Sequence, residues 1–477
     1  MKTDIAVKLI PLALAVAGGA ALWAWTGHQP TVPADGAASP GQPGQVESGP
    51  TGAGVPRGRL TRGDGMPSAI GDPKRDVSRL GTPAAAWPQF RGPNRDGISP
   101  ESVPLAPRWP AEGPRQLWSI ELGEGHAGAA VLNGRVYLLD YDRQRQCDAL
   151  RCLSLDDGRE IWRYAYPMPV KRNHGMSRTV PAVTDRYVVA LGPKCHVICL
   201  DSATGELLWS IDLVRQYGAK VPPWYAGQCP LIDGDKAILA PAGPNVLAMA
   251  VDCATGKVVW TTPNARQWHM THSSLVPMEL GGLKMYVYCG SGGVAGISAR
   301  DGSLLWDTTD WKIAIATIPS PVPLEGGRIF FSGGYEAGCM MLQLQEQDGR
   351  ISARSLWRLK SDLFGATQQT PILYQGRLYG VRPNGELVCL DASGHILWTS
   401  GAANRFGIGA FLLADGKLLV MNDSGVLTMV EATPVAYRQL AQAKVLPGHD
   451  SWGPMAMVSG RLLVRDLTRL VCLDLSQ

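Results

Sequence analysis

No run of lysine or arginine in this sequence exceeds two residues, and the 477-residue chain carries a net charge of only +4. A nucleic-acid backbone would find no basic stripe to hold it, so no nucleic-acid partner is expected. Charged residues make up only 18% against 45% hydrophobic, which excludes a chain disordered throughout. No cysteine precedes Cys147, which excludes lipidation at an N-terminal cysteine. Phenylalanine is scarce, with 6 residues against 15 tryptophans. That inversion asks for a structural reason to place indoles.

The N-terminus supplies an address. Lys2 and Lys8 flank the start of an apolar run from Leu9 to about Trp25. Basic residues before an apolar segment are the order of an export signal. The run is at the short end of the 17–25 residues that span a bilayer. Lysines on the inner side and Trp23 and Trp25 on the outer side orient it with the remainder exported. Residues 1–26 are therefore expected to form a transmembrane signal-anchor. Cleavage after Ala20 or Ala21 is the competing reading, and it would give a secreted protein. Residues 27–85 are rich in Pro, Gly, Ala and Ser and poor in large apolar residues. They are expected to be a disordered, flexible linker, because they cannot bury enough surface to offset ordering entropy. Residues 86–477 are expected to be one folded domain, placed in the periplasm at the inner membrane.

That domain is a repeat. Segments such as LSLDDGREIW, CLDSATGELLW, AVDCATGKVVW, ISARDGSLLW and CLDASGHILW end at Trp162, Trp209, Trp260, Trp306 and Trp398. Trp357 ends a divergent copy, and Trp118 stands alone at the front. Successive spacings of 44, 47, 51, 46, 51 and 41 residues leave room for four short strands and their turns. Asn133-Gly134 and Asp415-Gly416 mark tight hairpins, followed by alternating stretches such as RVYLL and KLLV. Two further copies follow Trp398. One lacks a tryptophan, and the last stops after its third strand. The strand around Trp118 is expected to complete that last blade, closing a ring with no free end. The expected fold is all-β, an eight-bladed β-propeller closed by its N- and C-terminal strands. Seven blades follow if the copy without tryptophan is only an insertion. The seven tryptophans are read as packing between blades. Cys152, Cys199, Cys389 and Cys472 recur at one place before Leu and are read as small apolar residues; local Cys147–Cys152 and Cys195–Cys199 disulfides stay open.

The turn Asp-x-x-Thr-Gly-x-x-x-Trp in Asp201–Trp209 and Asp252–Trp260 resembles the repeat of the pyrroloquinoline-quinone-type propellers. The leader from Trp87 to Gly97, WPQFRGPNRDG, shares that resemblance. The superfamily covers BamB-like assembly propellers and quinoprotein alcohol dehydrogenases. For the dehydrogenases, the resemblance implies an adjacent Cys-Cys pair, a calcium ligand set and an aspartate base. This chain has ten cysteines and no adjacent pair. No cofactor is therefore expected, with quinone or a metal ion left to the alternative.

Candidate chemistry gathers where loops enter the inner strands. Those loops carry Lys171, Arg172, Arg266, Lys312, Trp224, Trp268 and Trp311, a rim that suits anionic, sugar or peptide ligands or packs on itself. Five of eight histidines fall at or before an inner strand: His126, His174, His269, His272 and His449. Arg178, Gln228, Gln368, Gln369, Asp450 and Trp452 lie at the same level. Together they are expected to line a channel mouth that binds a ligand; no catalytic residue is assigned, and imidazole ligation of a metal is the minority reading. The expected function is a membrane-anchored, non-enzymatic binding or scaffold module for envelope proteins or a small anionic or sugar ligand. The alternative is a quinone- or metal-dependent oxidoreductase.

Overall fold

The computed structural model describes residues 58–62 and 86–477. The expected anchor and most of the expected linker lie outside the described residues. Among the described residues there are eight antiparallel sheets, one per blade, one short α-helix at Leu213–Tyr217 and a 3-10 turn at Glu325–Gly327. The expected eight blades are present. Blade 1 takes its four strands from Ala130 to Pro167, blade 2 from Ala182 to Asp212, blade 3 from Leu231 to Pro263 and blade 6 from Ile372 to Thr399; blade 7, the copy without tryptophan, takes a full set from Phe411 to Lys444.

The ring closes as the truncated last copy requires. The strand Arg115–Glu121 pairs with Arg469–Asp474, placing Trp118 opposite Cys472. Chain ends far apart in sequence thus share one sheet, and no blade is left with a missing outer strand.

Each turn residue does what its chemistry allows. Asn133, Gln375, Asp415 and Ser459 have φ near +50° and are each followed by a glycine with φ between 66° and 73°. This is the paired left-handed conformation that closes a two-residue hairpin. Asp201 Oδ1 accepts the Ala203 and Thr204 amides at 3.0 and 2.7 Å, bending the chain toward Gly205.

The tryptophans form the seam between blades. Trp209 Nε1 donates to the Cys253 carbonyl of blade 3 at 2.8 Å, and Trp118 Nε1 donates to the Leu155 carbonyl of blade 1 at 2.8 Å. Five of the seven indoles face a turn glycine of the next blade. A Cβ on Gly205 would lie 2.6 Å from the Trp162 ring, and one on Gly256 would lie 2.7 Å from Trp209. The recurrent cysteines sit opposite these indoles: Cys152 against Trp162, Cys199 against Trp209, Cys389 against Trp398. All ten cysteines are free thiols. Blade 7 inverts the volumes, with Met429 opposite Ala441 at the equivalent pair. A large residue on one strand replaces the indole on the other, so the copy folds as a blade without its marker.

One stretch departs from the expected linker. Arg59–Arg62 forms a fifth strand on blade 1, antiparallel to Glu160–Pro167.

Candidate functional site

Inner strands are only two to five residues long, so the residues just before them sit at the channel's mouth. The leader closes the opposite end. Trp87 and Val131 exchange backbone hydrogen bonds at 2.9 and 2.8 Å, Val183 N–H donates to the Pro88 carbonyl, and Leu413 N–H donates to the Gly97 carbonyl. Arg91 donates to the carbonyls of Thr370 and Pro371 in blade 6, and Arg95 to Pro230 in blade 3. Each partner lies within its inner strand or just before it, after the mouth residues of the same blade. The leader therefore spans the far end of the channel and leaves a closed-ended cavity of about 360 Å³.

The structure brings seven of the nine candidate residues to that cavity: His126, His174, Arg178, His272, Gln368, Gln369 and Trp452. Gln228 and Asp450 do not line it. Gln228 is buried, and its Oε1 accepts the Ala240 amide inside blade 3 at 3.1 Å. Asp450 holds a left-handed φ of 54° and faces His449 Nδ1 at 3.2 Å. His269 is exposed beside Lys220, 3.2 Å from its Nζ. Two rim tryptophans turn inward: Trp268 packs over Gly290 and Gly293, and Trp311 over Phe331 at 5.8 Å between ring centroids. Trp224 does line the cavity. Sequence reasoning missed Trp87, Phe90 and Arg91 of the floor, and Tyr335 of the wall. The leader motif was in view, but only as a mark of kinship.

Two aromatic plates dominate the mouth. His126 stacks on Trp452 with centroids 5.1 Å apart and planes 28° apart. Trp224 and His272 lie 6.3 Å apart at 40°. Trp452 is held by donating Nε1–H to Asp423 Oδ1 at 2.8 Å. His126 donates Nε2–H to the His174 carbonyl at 2.9 Å, which fixes its tautomer. Burial, reinforced by the Arg178 and Arg465 charges, pushes the His126 imidazole down to about 3. Burial and the Arg178 charge push His272 down to about 4. Both rings are neutral at physiological pH and act as flat surfaces.

Arg178 stands beside both plates: its Nη2 donates to the His174 carbonyl that also accepts His126 Nε2–H, and its Nε donates to the Trp224 carbonyl. Its hydrogen bonds go to main-chain carbonyls of Trp224, Asn173, His174 and Gly175. These bonds use Nε and Nη2 and leave Nη1 free to meet a ligand. Burial lowers its pKa to about 10, so it stays a cation. Among the described residues the cavity wall has no aspartate or glutamate, and Arg91 is its other cation. Such a site favours an anionic group carried on a flat apolar body.

The quinone–calcium chemistry of the resembled dehydrogenases does not fit these residues. Among the described residues one cysteine, Cys229, lines the cavity, and no carboxylate oxygen does. A hard cation needs an oxygen set that this wall lacks. Among the described residues, no three His, Cys, Asp or Glu side chains stand close enough to hold a metal ion.

Residues 146–351 match a family model described as outer membrane protein assembly factor BamB. The BamB of Yersinia pestis is 24% identical over 300 residues, covering 51% of this chain and 74% of that protein. Among solved structures, BamB from Moraxella catarrhalis superposes with a TM-score of 0.53 at 14% identity, over 76% of this chain and 99% of that one. A europium-containing methanol dehydrogenase superposes with a TM-score of 0.45 at 13% identity, over 80% of this chain and 89% of that one. At such identities structural likeness speaks for the fold alone. The resemblance carried by the Asp-x-x-Thr-Gly repeat agrees with these comparisons: the chain is an eight-bladed propeller similar to BamB.

Proposed function

We propose that this BamB-like propeller is a non-enzymatic binding module of the cell envelope, tethered to the inner membrane by its N-terminus. It takes an anionic group of a partner protein or small ligand into its closed-ended mouth. The observation that carries the reading is Arg178, a cation bonded to the main chain beside both aromatic plates, in a wall whose described residues include no carboxylate. An anion there gains a charge-assisted hydrogen bond away from competing water. The plates present apolar faces to whatever carries the anion. The envelope assignment draws on the likeness to BamB and on the expected export segment.

Crosslinking of the full chain in envelope membranes, followed by mapping, tests the location. Adducts should fall on the mouth around Trp452 and Tyr335. Arg178→Ala should weaken captured binding about tenfold or more, the scale of one charged hydrogen bond. Adducts confined to the opposite face would overturn it. The quinone alternative is tested by adding pyrroloquinoline quinone and calcium to purified protein. Dye-linked alcohol oxidation above background would replace the binding reading with an enzymatic one.

A further inference from the structure

Below its mouth the axial cavity is mostly apolar. Trp87 and Phe90 make the floor, and Ile318, Phe411 and Met455 belong to the wall. The leader spans the far end, so a chain cannot thread the channel; a chain end, a side chain or a small molecule can enter it. The two cations of the wall are not equivalent. Arg91 commits Nε, Nη1 and Nη2 to the carbonyls of Arg95, Thr370, Asp96 and Pro371. Arg178 keeps Nη1 free. An incoming anion is therefore held at the mouth, with apolar space beneath it.

Two acceptors at the mouth lack donors. Gln369 is more than nine-tenths buried, and its Nε2 donates to the carbonyls of Gly407 and Gly409 at 3.2 and 2.9 Å. Those bonds fix the amide and leave Oε1 without a hydrogen-bond partner among the described residues. His126 Nδ1 is in the same state, since its Nε2–H goes to the His174 carbonyl. Both side chains line the cavity. A buried acceptor left unpaired is costly, so a ligand that brings N–H donors gains by reaching it. Arg178 precedes the inner strand of blade 2 and Gln369 that of blade 6, which face each other across the axis in a ring of eight.

The lip on the Gln369 side is apolar. Ile315 lies in the loop entering blade 5 (Val322–Leu359), Tyr335 in a turn of that blade, and Leu363 in the loop entering blade 6. They are 57%, 40% and 44% exposed. These segments reach the cavity wall at Ile318, Tyr335 and Gln368. A small molecule inside the cavity would leave this lip in water, whereas a chain leaving the cavity covers it.

We infer that the mouth takes the free carboxy-terminal end of a partner polypeptide whose last side chain is apolar, an inference that rests on the proposed anion-binding role. The terminal carboxylate meets Arg178 Nη1, and the last side chain fills the apolar space below. Amides of the last residues donate to Gln369 Oε1 and His126 Nδ1, and the chain leaves over Ile315, Tyr335 and Leu363. An amino terminus would instead bring a cation against Arg178. A fatty acid supplies the anion and an apolar body, but no donor for the second acceptor. An acidic side chain within a segment brings the anion without an apolar body for the blind end.

Fluorescence anisotropy with the full chain and a dye-labelled Ser-Gly peptide ending in Val-Phe tests this. The free acid should bind saturably, and its carboxy-terminal amide about tenfold or more weakly, the loss of one charged hydrogen bond. Methylating the last peptide nitrogen removes a donor without touching the protein and should weaken binding about fivefold. Ile315→Ser combined with Leu363→Ser should weaken it about threefold or more. Arg178→Ala should bring acid and amide to equal affinity. If that variant does not fold by circular dichroism, the acid–amide difference on the parent chain decides alone. Equal binding of acid and amide would overturn the chain-end proposal. So would tighter binding of dodecanoate, or of an amidated peptide with an internal Glu, and either result would leave the anion-binding role standing. Absence of saturable binding by every one of these anions would sink both.

Discussion

The interblade seam and the axial mouth are built from the same blades by opposite rules. The seam repeats: of seven indoles, six have a small residue opposite and five face a glycine from the next blade. The mouth does not repeat. His126 and Trp452 make one plate, Trp224 and His272 another, and Arg178 has no equivalent elsewhere on the wall. Repetition spreads stability around the ring, since each blade packs only on its neighbours. Function concentrates where the symmetry is broken. Substitutions at the seam should therefore change stability with little effect on ligand choice, and substitutions at the mouth the reverse.

Trp162→Ala should break the seam most severely. Trp162 is fully buried between blades 1 and 2 and also supports Leu60. The expected loss is about 3–5 kcal/mol, read from urea unfolding. A loss below about 1 kcal/mol would mean that the ring tolerates an open seam. Gly205→Ala should cost about 2 kcal/mol. Its φ of +76° disfavours a side chain, and the new Cβ would press on the Trp162 ring at 2.6 Å. Loss of capture at the mouth by either variant, while still folded, would show that the two regions are not separable.

The difference between the regions also explains what could be read in the chain. Seven of the eight blades each lie within about fifty contiguous residues, and the marker tryptophan recurs in six of those, so eight blades and the closing strand at Trp118 were legible. The exchange of Met429 for cysteine and Ala441 for tryptophan was not, because a volume swap across two strands leaves no single-residue mark. Seven mouth residues were legible from position alone, as residues preceding inner strands. Gln228 failed that rule because its side chain turned back to the Ala240 amide. The floor was not legible. Arg91 reaches carbonyls some 280 residues away, and that pairing follows from ring closure rather than from any local pattern. The strand Arg59–Arg62 was missed for a related reason: one leucine in a polar stretch is too little apolar signal until its acceptor edge exists.

Asp148 is where the two regions meet, and it carries the smallest expected effect. It is fully buried in blade 1, accepting the Tyr166 and Ser177 hydroxyls at 2.7 Å each. The Ser177 carbonyl in turn accepts the His126 amide at 2.8 Å, so the carboxyl stands one residue behind the mouth. Burial raises its pKa to about 7. In the unfolded chain a carboxyl of this kind ionises near 3.9. Between these values the folded chain holds a proton that the unfolded chain has lost. Its contribution to stability is thus fully present below about pH 4 and is lost as pH rises through 7. Asp148→Asn removes that dependence while keeping both hydrogen-bond partners. Relative to the parent, the variant should gain about 2 kcal/mol between pH 5 and pH 8 in parallel denaturation series. Comparing variant with parent cancels the opposite trend of His126 and His272, whose lowered values remove stability as pH falls. Anion affinity at the mouth, measured over the same range, then decides how far the regions are coupled. An affinity that stays flat while the stability difference changes keeps seam and mouth separate. An affinity that changes near pH 7 in the parent, and not in Asp148→Asn, would make this carboxyl the link between them.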